Sequence, residues 1–194
     1  YMNVPNGIGN EADFVTIRPS TGNVADNGTN GVRNALYVNA HRATCTPGQK
    51  YDIRTYVHNG ADDDYNANGA GTAVAHDTEV RMVAPFGAPG KSFTFTSTVR
   101  ASNASPVTDT ARLNCDSASN VMIRLVPSSV KVWSGHYGYN NVADSAVNGV
   151  LPIGSRTVGS GDQWGCWADV VTVAYIVEVV EIPVVKIPAV CDGL

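Results

Sequence analysis

"YDIRTYVHNGADDDYNANGAG", residues 51–71, opens as a strand and runs into a loop. Tyr51, Ile53, Thr55 and Val57 fall on one side of an extended chain, and Asp52, Arg54, Tyr56 and His58 on the other. Side chains alternate across a strand, so this pattern predicts one face in a core and one in water. The Asp, Asn and Gly residues that follow tolerate the backbone angles of tight turns. A half-buried strand punctuated by a polar turn is the unit of an all-β domain.

The same unit recurs along the chain. Period-two runs occupy 13–19, 35–40, 51–59, 78–85, 91–102, 107–115, 120–127 and 129–134, with Gly, Pro, Asn and Asp between them. No stretch of ten or more residues carries a helical period. The expected architecture is an antiparallel β-sandwich of roughly eight to ten strands. Residues 168–183, "ADVVTVAYIVEVVEIP", are apolar on both faces until Glu178, which predicts a strand buried on both sides or covered at its end by another chain. A membrane helix over 170–190 is argued against by Glu178, Glu181, Lys186, Pro183 and Pro188. The domain is expected to span 13–182, after an N-terminal extension over 1–12 and before a segment over 183–194 that is either an extended tail or a linker to another domain. The glycine- and aromatic-rich stretch 135–167 is too long for a structureless loop and predicts a short hairpin of its own.

Charged residues make up only 15% of the chain, against about 25% in an average soluble protein. A net charge of −4 and the absence of a basic cluster exclude nucleic acid from the expected partners. Cys45, Cys115, Cys166 and Cys191 form no CxxC pair, and none has zinc-ligand spacing to a histidine. Scattered cysteines in a lysine-poor β protein predict disulfides and an oxidising, extracellular compartment. No signal peptide is visible, and since a mature protein starting at Tyr1 would have lost it, this does not exclude secretion.

"CTPGQKYDIRTYVHNGADDD…GTAVAHDTEVRMVAP" has a Pro47-Gly48 turn, a strand ending in Asn59, a polar loop, a second strand over Val80 to Val83, and Pro85. With "GNEADFVTIR", "RASNASPVTDTARL", "IRLVPSSVKVW" and Gly165-Cys166, residues 10–182 resemble a repeat-type domain of unknown function from secreted and wall-attached bacterial proteins of actinobacteria-like and candidate-phylum organisms. The resemblance implies an immunoglobulin-like sandwich serving as a stalk, adhesion or assembly module. It carries no catalytic residues.

Strand order pairs the first two cysteines. If the runs over 51–115 alternate up and down, Cys45 and Cys115 lie at the same end, which predicts a bridge between them. A straight strand over 168–182 spans about 45–50 Å, whereas the nine residues after it return at most about 30 Å. Cys166 and Cys191 are therefore left without an intrachain pairing unless that strand breaks early. Cys191 is expected either to reach a neighbouring molecule or to stay a free thiol.

Residues 64–69, Asp-Tyr-Asn-Ala-Asn-Gly, match the first half of a calcium loop, with Asp62, Asp64, Asn66 and Asn68 as the candidate ligands. Ala75 stands where such a loop needs its bidentate acid, so an inter-strand turn with no cofactor is expected. His58 and His76 are weighed as a metal pair and read as ordinary polar residues. Ser134-Gly135-His136 lacks the G-x-S-x-G elbow of a hydrolase. The Asn27-Gly28-Thr29 and Asn103-Ala104-Ser105 sequons read as chance matches.

The expected role is that of a non-enzymatic structural module of a surface or polymeric assembly. In its sharpest form, Ile182, Val184, Val185, Ile187 and Val190 of the proline-punctuated tail add a strand to the next subunit. The competing expectation is a glycan- or host-surface-binding module that uses Tyr137, Tyr139, Trp164 and Trp167.

Overall fold

The computed structural model describes residues 13–24, 42–116 and 120–182, which form a sandwich of two sheets. One sheet runs β1 (Val15–Pro19), β3 (Lys50–Val57), β11 (Val171–Glu181), β8 (Lys131–Ser134) and β9 (Gly138–Asn141), with β7 (Val121–Leu125) also paired to β11. The other runs β10 (Val150–Pro152), β4 (Glu79–Val83), β5 (Ser92–Ala101), β6 (Ala104–Cys115) and β2 (Arg42–Cys45). Neighbours are antiparallel except β2 and β6, which run parallel. The eleven strands slightly exceed the expected number, because β2, β9 and β10 are too short to show alternation.

Valine-rich β11 is the spine. Its first half pairs with β3 on one side and β8 on the other, and its second half pairs with β7. β7 and β8 are two halves of one strand, interrupted where Pro127 has no amide to donate. Val126 N–H still donates to the Ile176 carbonyl at 2.9 Å. The Ile176 N–H, facing the interruption, is accepted by Ser129 Oγ at 3.0 Å. A hydroxyl thus stands in for the missing carbonyl, and the Ile176 amide is not stranded in the core.

Between the sheets lie Tyr51, Ile53, Val57, Phe93, Phe95, Leu113, Ile123, Val173 and Tyr175, all buried. A hydrogen bond of 2.6 Å between the Thr55 and Ser97 hydroxyls crosses this core and satisfies two buried polar groups at once.

The expectation that Asp52, Arg54, Tyr56 and His58 face water is overturned, since all four are buried. β3 is an inner strand, and its second face is also covered. There Asp52 stands opposite Ile176, Arg54 opposite Ala174 and Tyr56 opposite Thr172. Val24 packs onto Ala174 and Ile176. Arg18 and Arg54 approach the buried Asp52 carboxylate at 3.4 and 3.7 Å, so it has cationic partners in this setting. The expectation that β11 is buried on both faces holds, and β11 is covered within the chain itself.

The Cys45–Cys115 disulfide is present, joining directly opposed residues of β2 and β6 with Cα atoms 4.5 Å apart. Of the tail, Ile182 continues the sheet by donating its N–H to the Asn120 carbonyl at 3.3 Å. Val184, Val185, Ile187, Val190 and Cys191 lie outside the described residues, as do the strand expected over 35–40 and the Asn27 sequon.

The bridge closes a 70-residue separation. Its removal in a Cys45→Ser/Cys115→Ser variant is expected to cost roughly 2–4 kcal/mol of unfolding free energy. Urea melts with and without reductant check this: reduced wild type and the variant should share one lowered midpoint. An unshifted midpoint would contradict the role given to the bridge.

Candidate functional site

At one end of the sandwich the β3–β4 loop (58–78) and the β10–β11 loop (153–170) are knitted together. Ala75 and Gln163 exchange both backbone hydrogen bonds, at 2.8 and 2.9 Å. Thr78 N–H donates to Gly161 O at 2.7 Å, and Ile153 N–H to Thr78 O at 2.9 Å. Close backbone approach requires glycine at two points: a Cβ on Gly165 would lie 2.6 Å from the Ala61 carbonyl, and one on Gly71 1.8 Å from that of Tyr65.

Asparagine side chains supply much of the rest. An amide side chain carries the donor and acceptor of a peptide group, so it can pair with a backbone as a strand would. Asn66 accepts from Gly165 N–H at 2.9 Å and donates to Gly165 O at 3.1 Å. Asn59, buried, donates to Ala73 O and Gln163 O at 2.7 and 2.9 Å. Asn103, in the β5–β6 turn, accepts from His76 N–H and donates to Val74 O. This placement commits the amide of the Asn103 sequon to the fold. Asn148 makes the same two-way contact with Ala84.

The segment expected to be a turn forms two successive 3-10 turns, Asp63–Tyr65 and Ala67–Gly69. Asp62 caps the first by accepting from Asp64 N–H at 3.0 Å. Asn66 is spent on Gly165, and Asn68 is an exposed left-handed residue at φ 54°. Asp62, Asp63 and Asp64 remain as three exposed carboxylates within 4.8 Å of one another. His58 and His76 do not form a pair: His58 is buried on β3's second face, and His76 Nδ1 meets Asp162 at 2.8 Å on the surface.

The densest polar cluster surrounds Asp169, which is buried. Arg156 grips its carboxylate through Nε and Nη2, at 2.9 and 3.2 Å, and His136 Nε2 approaches at 3.0 Å. Gln163 Nε2 donates to the Asp169 backbone carbonyl. Ser134, His136 and Asp169 are thus near one another, an arrangement the sequence spacing did not reveal. Yet Ser134 Oγ is fully buried, donates to the Ser155 carbonyl and accepts from the His136 backbone N–H. A serine so placed has no free path as a nucleophile. The chemistry supported by this cluster is the fixing of a buried carboxylate between two loops.

Tyr137, Tyr139 and Trp164 are dispersed among separate packing roles. The Arg156 guanidinium lies 3.7 Å from the Trp164 ring centroid, and the Gly69 backbone also packs against that ring. Tyr137 donates to Gly154 O at 3.0 Å. Tyr139 packs against Trp133 with centroids 6.4 Å apart and reaches Val24 O at 3.5 Å. Trp167 begins a 3-10 turn ending at Asp169. Beside it Cys166 holds φ 90°, ψ 162°, a backbone region that L residues rarely enter. Its N–H bonds Asn59 O and its carbonyl accepts from Asp169 N–H, which hold it there. Cys166 has no disulfide partner among the described residues. A pocket beside this layer, bounded by Asn59, Thr72, Val74 and Asn103, measures about 70 Å³, against ~300–1,000 Å³ for sites that enclose small molecules.

Burial pushes the Tyr137 phenol up to about 12 and also raises Tyr139 and Tyr175. The unfolded phenols ionise near pH ~10, so above that pH the folded state holds more protons and stability falls as pH rises. The decline is expected from about pH 10 upward, and Tyr137→Phe should flatten its first part. Urea midpoints across this alkaline range check it, and a pH-independent midpoint would contradict it.

No protein-family model, curated protein or solved structure matches the chain.

Proposed function

We propose that the chain is a non-enzymatic structural module of an extracellular assembly: a rigid sandwich that serves as stalk, adhesion unit or polymer subunit. The observation that supports this most is the Cys45–Cys115 bridge, which ties the short β2 to β6. Such a bridge persists in an oxidising compartment and is rare in the cytosol. The locked loop end supports the same reading. Asn59, Asn66, Asn103, Arg156 and Asp169 hold backbone or one another there, which is the economy of a module that must keep its shape. The resemblance to bacterial surface domains, with an immunoglobulin-like form of the sandwich, points in the same direction.

Fractionation of the producing cells, followed by electron microscopy of the unreduced protein, tests the proposal. The expected result is recovery from the medium or cell surface, with the bridge intact and the molecules in regular multimers or stalks. Recovery from the cytoplasm in reduced form, or as isolated particles that turn over a substrate, would overturn it.

A further inference from the structure

The described arginines fall into two sets. Arg18 and Arg54 meet Asp52, Arg124 meets Glu178 at 2.6 Å, and Arg156 meets Asp169. Arg42, Arg81, Arg100 and Arg112 make no ion pair among the described residues, and all four are exposed. The register places these four on the outer face of the five-stranded sheet as two pairs, Arg81 with Arg100 and Arg42 with Arg112. Arg42 lies directly opposite Arg112, and Arg81 and Arg100 look out from adjacent strands between rows of threonine. Glu79, the acid on this face, lies directly opposite Arg100. Like charges on neighbouring strands repel, so Arg42 facing Arg112 is a cost to the isolated fold. Amid it sit Val83 and Val150, 46% and 50% exposed.

The opposite array lies at the loop end. Asp62, Asp63 and Asp64 are three exposed carboxylates with no ion-pair partner among the described residues, and Tyr65 beside them is 63% exposed. A chain of net charge −4 that carries a cationic sheet face must hold its acid excess elsewhere. Each array thus offers unpaired charge beside exposed apolar surface, and the two are of opposite sign. Guanidinium forks pair bidentately with carboxylates, and a phenol ring can lie on a guanidinium plane.

We propose that the arginine face of one molecule receives the Asp62–Tyr65 loop of a second copy. The contact joins two different surfaces, so it leaves a free face and a free loop at each end and can propagate into a chain of molecules. It rests on the structural-module reading and gives that module an assembly contact.

Sedimentation velocity of the full chain at low and high salt tests the contact. Arg81→Glu/Arg100→Glu/Arg112→Glu and Asp63→Lys/Asp64→Lys are made separately, with circular dichroism to confirm that each folds. Self-association of the wild type is expected to weaken with salt, and each variant alone should associate more than about tenfold more weakly. Mixing the variants should restore association, because each then meets opposite charge at both surfaces. A wild type that stays monomeric, including one that instead binds an acidic polysaccharide, would overturn the proposal. So would variants that assemble as well as the wild type, or a mixture that fails to recover. Ordered multimers of native protein that persist in the reversed variants would remove this contact and leave the structural role standing.

Discussion

The fold depends on β11 having a hydrogen-bonding partner on both edges and a covered surface on both faces. A strand buried in this way can leave no main-chain polar group unanswered, because each such group would cost about 1–3 kcal/mol. Its partner on one side is a strand broken by Pro127, and the break falls opposite Ile176. Ser129 Oγ repairs it, and Ser128, at φ 59°, donates its N–H to Asp144 to hold the bend. The surroundings of β11 follow from this: β3 must be an inner strand, and its polar second face must be covered and internally neutralised around Asp52.

The loop end obeys the same rule in another form. Loops that run across the end of a sandwich bury backbone groups without a ladder to satisfy them. Here asparagine amides act as detached peptide groups, pairing two-way with Gly165 and the Val74–His76 segment, as Asn148 does with Ala84 past the other end of β4. Composition and structure meet at this point, since a chain poor in charge and rich in asparagine and glycine has the material for neutral clamps. Charge is concentrated instead in the buried Asp52 and Asp169 pairings and in two exposed arrays of opposite sign.

Much of this was legible in the sequence where a residue's environment depends on its near neighbours. Alternation located β1, β3, β4, β5, β6, β7 and β8, and continuous apolar character located β11 and marked it as buried twice over. The bridge followed from strand direction alone. Contacts between distant segments were not legible. Alternation over 51–58 cannot say whether the polar face of β3 meets water or another layer, and it met another layer. Asn66 looked like a metal ligand because its pairing with Gly165 spans 99 residues. His136 and Asp169 meet for the same reason, through loops that no local pattern relates. Tyr137, Tyr139 and Trp164 are aromatic residues in a glycine-rich stretch in any reading, and only the folded partners show each one packing separately. The arginine face was hidden because its members are spread over β2, β4, β5 and β6 and reach one face, as two pairs, only through the register.

Amide hydrogen exchange, resolved by strand, tests most directly whether β11 and β3 are the spine. The amides of Val171–Val177 and Ile53–Val57 should exchange only with global unfolding, and more slowly than those of β9 and β10 at the sheet margins. Exchange of the β11 amides ahead of β5 and β6 would contradict the account, because the sandwich would then be organised around its other sheet.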